Sequence, residues 1–219
     1  MKWLWIVCAL VVPVEPVMAV PVSFPPVRDT LVAALRRGGY VLVFRHAHTD
    51  RSKMDDQTWS LADRSTQRNL SGRGAEEAKR IGRAMAALRI PIGDVLTSPM
   101  FRTRETADLA FPRADTTELL RSRGSTPEAR ALLTMAPAPG TNRVLVTHNA
   151  YIGRHLSDRG LGRIQEGDVV MVRPLGEGGF EVLGKITVGQ WEQLLLEEST
   201  SLPEPPVQPA ESRTRQGVQ

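Results

Sequence analysis

Cationic and titratable side chains cluster directly after three apolar segments of the chain. The clusters are RHAHTD at residues 45–50, SPMFRTRETA at residues 98–107 and THNAYI at residues 147–152. The four histidines of the chain lie within or just after the first and third clusters; they are His46, His48, His148 and His155. Convergent polar groups of this kind are the usual signature of a binding or catalytic site. The residue types favour a site that handles phosphate, with a metal site and simple solvated strand ends as the alternatives.

Arginine and histidine have complementary uses in phosphoryl transfer. A guanidinium stays charged and pairs with phosphate oxygens in bidentate fashion, so it can stabilise the charge that the transferring group carries. A histidine is a nucleophile only when its ring is neutral, and neighbouring arginines favour the neutral ring by lowering its pKa. The competing hypothesis is a metal-dependent hydrolase with His46, His48 and His148 as ligands, because His-x-His at a strand end is a known metal pattern.

Strand and helix patterns alternate along the chain. Apolar, β-favouring segments predict strands near residues 40–44, 94–97, 144–147, 169–173 and 180–186. Capping residues and helical spacing predict helices near residues 29–37, 71–88, 101–109, 150–156 and 191–196, with a further helix start at residues 126–128. This alternation is typical of an α/β fold. We expect a three-layer sandwich with a mostly parallel central sheet and helices on both faces.

Such a sheet would bring the polar clusters together. In open α/β sheets, ligands bind in the crevice beyond the carboxyl ends of the strands. Three strands that point the same way would therefore gather Arg45, His46, Arg102 and His148 at one edge.

The two ends of the chain differ in composition from its centre. Residues 1–19 combine a short positive start, an apolar run and small residues before a cut after Ala19, which predicts a secretory signal peptide. Residues 20–28 are rich in proline and are predicted to be extended, and residues 199–219 are predicted to be a disordered, proline-rich tail. The folded domain is then expected at residues 29–198. An uncleaved N-terminal membrane anchor is the alternative for the first segment.

Cysteine content and charge restrict the compartment and the partners. The only cysteine, Cys8, lies in the predicted signal peptide, so the mature chain would have no thiol chemistry, which suits a periplasmic or secreted protein. The formal net charge of +4 favours anionic partners, but acidic and basic residues are interspersed. We therefore expect no nucleic-acid partner, and no stable membrane insertion once the signal peptide is removed.

Four segments in order resemble the histidine phosphatase superfamily, which is also called phosphoglycerate mutase-like. Arg45-His46-Ala47 resembles its Arg-His-Gly signature, and RNLSGRGAEEA at residues 68–78 resembles the entry to its first long helix. TSPMFRTRETA at residues 97–107 and VTH at residues 146–148 resemble two later motifs. The resemblance covers about residues 40–152, and its spacing is more specific than any single triplet.

The resemblance implies a role for each matching position. His46 would be the nucleophile that forms a phosphohistidine, Arg45 and Arg102 would bind phosphate oxygens, and His148 would contact the transferring group. Water would then hydrolyse the phosphohistidine. Neither a metal nor another cofactor is implied, because the arginines supply the positive charge.

The chain departs from the family pattern at positions that concern the proton donor. Ala47 replaces the usual glycine, and Asn149 stands where one branch has an aspartic acid donor. In the mutase-like branch the donor is a glutamate after the middle strand, and Glu118 is the nearest candidate, with Asp50 and Glu105 as weaker ones. Without a donor, substrates with good leaving groups, phosphoanhydrides or phosphoramidates would be favoured.

We expect a phosphatase that hydrolyses phosphate monoesters of a small substrate, similar to small exported bacterial members of the family. A non-catalytic module that binds phosphorylated ligands in the same pocket is the main alternative, because fold and site do not guarantee turnover. A mutase is a third hypothesis for the function, and it is less favoured if the protein is exported.

Overall fold

The computed structural model describes residues 28–121, 126–156 and 159–201. The predicted signal peptide lies outside the described residues, as do residues 20–27 of the proline-rich lead and residues 202–219 of the tail. Residue 28 of the predicted lead and residues 199–201 of the predicted tail are helical instead. Export and the state of the remaining end residues stay sequence-based predictions. Within the described ranges, no helix combines the length and the apolar character needed to cross a bilayer.

A six-stranded mixed sheet forms the centre of the fold. Its strands are β1 Val41–Arg45, β2 Ile92–Thr97, β3 Asp115–Thr116, β4 Asn142–Thr147, β5 Val169–Pro174 and β6 Phe180–Ile186. Their order across the sheet is β3-β2-β4-β1-β5-β6. β1 to β4 are parallel to one another, and β5 is antiparallel to both of its neighbours. The prediction of a mostly parallel sheet is confirmed.

Helices cover both faces of this sheet. They are α1 Arg28–Arg37, α2 Gly72–Ala87, α3 Phe101–Ala110, α4 Pro127–Thr134, α5 Asn149–Leu156 and α6 Val188–Ser201. Because side chains alternate along a strand, Leu42 and Phe44 of β1 pack with α1, α2, α3 and α6 on one face. Val41 and Val43 pack with α4 and α5 on the other face. The three-layer α/β sandwich predicted from the sequence is confirmed.

The predicted capping residues begin the helices as expected. The Ser71 hydroxyl accepts a hydrogen bond from the Gly74 amide at 3.1 Å, and the Thr126 hydroxyl accepts one from the Ala129 amide at 3.2 Å. At α6, the Thr187 amide donates to the side-chain oxygen of Gln190 at 2.8 Å, as in a capping box. These local bonds satisfy amides that a helix start leaves without partners.

The sheet register brings three strand ends to one place. Arg45 of β1 lies opposite Thr147 of β4, and Thr97 of β2 lies opposite Val146 of β4. The residues that follow these three strands therefore emerge side by side at the carboxyl edge of the sheet. The first turn of α2 packs directly on the segment after β1, since a Cβ atom on Gly74 would lie 1.9 Å from the His48 carbonyl oxygen.

We predict that Gly74→Ala destabilises the protein whereas Gly72→Ala does not. A Cβ atom on Gly74 must displace the backbone of His48, but one on Gly72, in the same helical turn, meets nothing within 4 Å. Gly74→Ala should lower the unfolding free energy by about 2 kcal/mol, and Gly72→Ala should raise it slightly or leave it unchanged. Urea unfolding of both variants tests the contact, and equal stabilities would contradict it.

Candidate active site

The segment from His46 to Thr49 forms a turn whose backbone is bonded to four different elements. Each amide in this turn donates a hydrogen bond to an acceptor at 3.0–3.4 Å. In chain order the acceptors are Thr147 O, Thr106 Oγ1, Glu77 Oε2 and Glu166 Oε2. Because every donor is satisfied, the position of the His46 backbone is fixed by α2, α3, β4 and the segment before β5.

A backbone carbonyl selects the tautomer of His46. Its Nδ1 atom lies 3.0 Å from the carbonyl oxygen of Ala47, and both residues are buried. A carbonyl oxygen can only accept, so Nδ1 must carry the proton and Nε2 of the neutral ring must keep its lone pair. The ring is thereby prepared to act as a nucleophile through Nε2.

The surroundings of His46 favour the neutral ring. Burial is the largest cause that lowers its pKa, and the positive charges of Arg102 and Arg45 lower it further. The hydrogen bond to the Ala47 carbonyl and the negative charge of Glu166 oppose this shift. The net result is a pKa of about 4, so the ring is neutral at physiological pH.

His148 lies against His46 and is also neutral. The two ring centroids are 5.5 Å apart, and His148 Nε2 shares a hydrogen bond of 2.9 Å with the Ser98 hydroxyl. Burial, followed by the charge of Arg102, lowers the His148 pKa well below its usual value. Its Nδ1 atom is buried and has no hydrogen-bond partner.

Two arginines approach the histidines with part of their guanidinium groups already bonded. Arg45 Nη1 donates to the Ile164 carbonyl at 2.7 Å, and its Nη2 lies 3.4 Å from Glu166 Oε1. Arg102 Nη1 donates to Asp55 Oδ1 at 3.0 Å and to the Arg68 carbonyl at 3.3 Å. Protein groups thus fix the orientation of both guanidinium forks and leave other N–H groups unused.

Buried atoms without partners converge on this site. Among the residues that the structure describes, they include the Nε atoms of Arg45, Arg68 and Arg102, together with Nδ1 of His148. Buried polar atoms normally have hydrogen-bond partners, so several unsatisfied donors in one place indicate a ligand that accepts hydrogen bonds. Three guanidinium groups select an anion, and a tetrahedral oxyanion offers acceptors in several directions.

The structure brings together four of the five residues that the sequence nominated. Arg45, His46, Arg102 and His148 interact electrostatically with one another at the carboxyl edge of the sheet. The fifth, Glu118, follows β3 in a short 3-10 helix, where its side chain is 59% exposed and lies 2.6 Å from Arg121 Nε.

The weaker proton-donor candidates have other partners. The Asp50 carboxylate accepts hydrogen bonds from Ser52, and Glu105 is paired with Arg64 rather than with an arginine of its own helix. His48, whose role the sequence left open, bonds through Nδ1 to the Ser71 hydroxyl at 2.8 Å. In the described part of the chain, no three His, Cys, Asp or Glu side chains are placed to share a metal ion, so the metal-ligand hypothesis finds no support.

Three contributors to the site were not anticipated. Glu166 and Asp55 contact the two nominated arginines, and Arg68 contributes a positive charge that lowers the pKa of His148. Arg68 lies in the segment at residues 68–78 that resembles a family motif, so the sequence contained a signal that could have identified it as a site residue. Glu166 and Asp55 lie in segments without periodic pattern, and nothing in their spacing distinguished them from surface carboxylates.

We predict that the neutral burial of His46 makes the folded protein less stable in acid. Between the ordinary pKa of 6.5 and the folded value of about 4, the unfolded chain binds a proton that the folded chain does not. As the pH falls through this window, the unfolding free energy should decrease by about 1.4 kcal/mol per pH unit from this histidine. The stabilisation that neutral His46 contributes is fully present above pH 6.5 and is fully lost below the folded pKa of about 4.

Urea unfolding at several pH values between 7 and 4.5 tests this prediction in wild type and His46→Gln. The variant should lose less unfolding free energy over the window than wild type does. An identical pH dependence of the two proteins would show that His46 titrates in the folded chain as it does in the unfolded one.

Comparisons with known proteins agree with this site. A sequence profile of the histidine phosphatase superfamily (branch 1) matches residues 41–122. The solved structure of the protein histidine phosphatase SixA complexed with tungstate is similar at 16% identity and a TM-score of 0.50, covering 68% of this chain and 97% of that one. A candidate phosphohistidine phosphatase SixA from Agrobacterium tumefaciens is similar at 17% identity and a TM-score of 0.51, again covering 68% and 97%.

No curated protein sequence matches the chain. The two solved structures share its fold, and the profile match includes the segments that carry Arg45, His46, Arg68 and Arg102. Over residues 41–122 the chain is similar to the histidine phosphatase superfamily.

Proposed function

We propose that this chain is a metal-independent phosphatase that hydrolyses phosphate monoesters through a phosphohistidine on His46. The match of residues 41–122 to the histidine phosphatase profile supports phosphatase activity in general. The observation that carries the specific proposal is the set of buried polar atoms without partners on Arg45, Arg102 and His148, near a neutral histidine whose Nε2 keeps its lone pair. The arginines would supply the charge stabilisation that other phosphatases obtain from metal ions.

In the first step, His46 Nε2 would attack the phosphorus of a substrate bound by the arginines. A bond forms between Nε2 and phosphorus while the bond from phosphorus to the leaving group breaks, and its electron pair departs with that group. The imidazole ring becomes positively charged because Nδ1 keeps its proton. The Ala47 carbonyl and the negative charge of Glu166 would stabilise that positive ring.

In the second step, water would attack phosphorus from the side that the leaving group has vacated. The bond between Nε2 and phosphorus breaks and its electron pair returns to the ring, which becomes neutral again. A bond forms between the water oxygen and phosphorus, and one water proton passes to a phosphate oxygen or to solvent as inorganic phosphate forms. The charge on the three equatorial oxygens is the same in both steps, so the same guanidinium groups can stabilise both transition states.

The carboxyl groups described at or near the site favour substrates that need no proton from the enzyme. Burial would raise the pKa of Glu166, but the hydrogen bonds from Thr49 and the positive charge of Arg45 act in the opposite direction and its pKa is lowered, so this group stays ionised. Glu118 is exposed and paired with Arg121. We propose aryl phosphates as the preferred monoesters, and phosphoanhydrides and phosphoramidates as further substrates beyond the monoesters. The similar structure from Agrobacterium tumefaciens is named a phosphohistidine phosphatase, and phosphohistidine is a phosphoramidate.

We predict that His46→Ala abolishes hydrolysis of p-nitrophenyl phosphate and that Arg102→Ala reduces kcat/KM by about 10²-fold or more. Activity should survive treatment with a chelator. The matched control is His155→Gln, a buried histidine that stacks on Tyr151 at 4.5 Å and should retain activity. Full turnover by His46→Ala would contradict the mechanism. A wild-type protein that binds phosphate but never hydrolyses an ester would indicate the non-catalytic binding module.

We predict that Glu118→Gln changes kcat/KM for p-nitrophenyl phosphate by no more than about twofold, because nitrophenolate departs without protonation. The ratio of activities on p-nitrophenyl phosphate and on an alkyl phosphate such as glycerol phosphate should also stay the same. A selective loss on the alkyl ester would identify Glu118 as the proton donor after all.

A further inference from the structure

Glu166 is a buried carboxylate beside an anion site. It lies in the segment between α5 and β5, and its side chain is only 4% exposed. Both of its oxygens are used: Oε2 accepts from the Thr49 amide at 3.1 Å, and Oε1 accepts from the Thr49 hydroxyl at 3.0 Å. Arg45 Nη2 approaches Oε1 at 3.4 Å, and Arg51 Nη2 approaches Oε2 at 3.6 Å.

The charge of Glu166 opposes the binding of phosphate. A negative group close to Arg45 and His46 repels an incoming dianion and offsets part of the arginine charge that attracts it. Burying a carboxylate also costs desolvation energy. A favourable role for Glu166 must therefore come from the geometry that it imposes on its neighbours.

The backbone on both sides of Glu166 is fixed at the end of β1. The Gly167 amide donates to the carbonyls of Arg45 and His46, at 3.2 and 3.0 Å. Gly167 has a φ of +86°, and a Cβ atom there would lie 2.6 Å from Val188 Cγ2, so only glycine fits. This backbone arrangement presents the Glu166 side chain to Arg45 and Thr49 at the same time.

We infer that Glu166 is a positioning residue that orients the Arg45 guanidinium and the Thr49 end of the turn that carries His46. With Nη1 bonded to the Ile164 carbonyl and Nη2 to Glu166, the rotation of the Arg45 fork is fixed. The buried Nε of Arg45, which has no partner, is then one of the donors left for an oxyanion. This role rests on the proposed function only in assuming that the site binds phosphate-like anions.

The variant Glu166→Gln distinguishes an orienting role of Glu166 from the effect of its negative charge on anion binding. One oxygen of the glutamine can still accept from Thr49, but its amide group presents N–H donors where Arg45 needs an acceptor. If charge alone mattered, removing a negative group would tighten the binding of an anion. If orientation matters, binding must weaken. The two roles therefore predict opposite signs for the same measurement.

The probe is tungstate, a tetrahedral dianion, and its Kd is measured by calorimetry for the full chain. We expect Glu166→Gln to weaken tungstate binding by about tenfold or more, because a charged donor loses its acceptor. The matched control is Asp168→Asn, whose side chain is also 4% exposed and lies in the same segment. Its Oδ2 faces Lys185 at 3.5 Å and accepts from the Gln165 amide at 2.8 Å, a bond that the asparagine oxygen can keep. Its tungstate affinity should stay within about twofold of wild type.

Unchanged or tighter binding by Glu166→Gln overturns the inference, as does an equal loss in Asp168→Asn. If Glu166→Gln does not fold, as judged by its thermal transition, Glu166→Asp takes its place. That variant keeps the charge but is too short to reach both neighbours, so it should also weaken binding, and wild-type affinity would contradict the inference. Tungstate binding needs no turnover. An inactive wild type that binds tungstate would therefore contradict the phosphatase proposal without affecting this test.

Discussion

The hydrogen bond from His46 Nδ1 to the Ala47 carbonyl is the interaction on which the chemistry of this site depends. It removes Nδ1 from reaction and leaves Nε2 as the only nitrogen with a free lone pair. The bond exists because the turn after β1 keeps its shape, and that turn is bonded to four other elements. The tautomer of a single ring is thus a consequence of how the layers pack.

The same burial that supports this bond creates an electrostatic problem. Arg45 and Arg102 are largely buried close together, with side chains 15% and 8% exposed, and positive charges in such surroundings are costly. Carboxylates from two separate loops, Glu166 and Asp55, offset part of the cost. Some N–H groups of Arg45 and Arg102 have no protein partner, and an oxyanion can accept hydrogen bonds from them. Protein groups alone hold both guanidinium groups in place, which reduces the entropy cost of binding an anion.

The site residues at the strand ends could be predicted from the sequence, whereas those in the loops could not. Arg45, His46 and His148 directly follow or end apolar strands, so the direction of the strands was enough to predict where these residues meet. β3 has only two residues and no readable period, and the direction of the Glu118 side chain after it could not be derived. Asp55 and Glu166 reach the site through loop backbone whose path depends on tertiary contacts, such as the bonds of Gly167 to Arg45 and His46.

The antiparallel strand explains how Glu166 reaches the carboxyl edge of the sheet. In an all-parallel sheet, residues that precede a strand lie at the opposite edge from the ligand. β5 runs the other way, and its first residue, Val169, pairs with Phe44 near the end of β1. The segment before β5 therefore emerges beside His46, where a residue that precedes a strand can take part in the site. The reversal of one strand lets this segment supply Arg45 with two acceptors, the Ile164 carbonyl and the Glu166 carboxylate, which a purely parallel order could not place here.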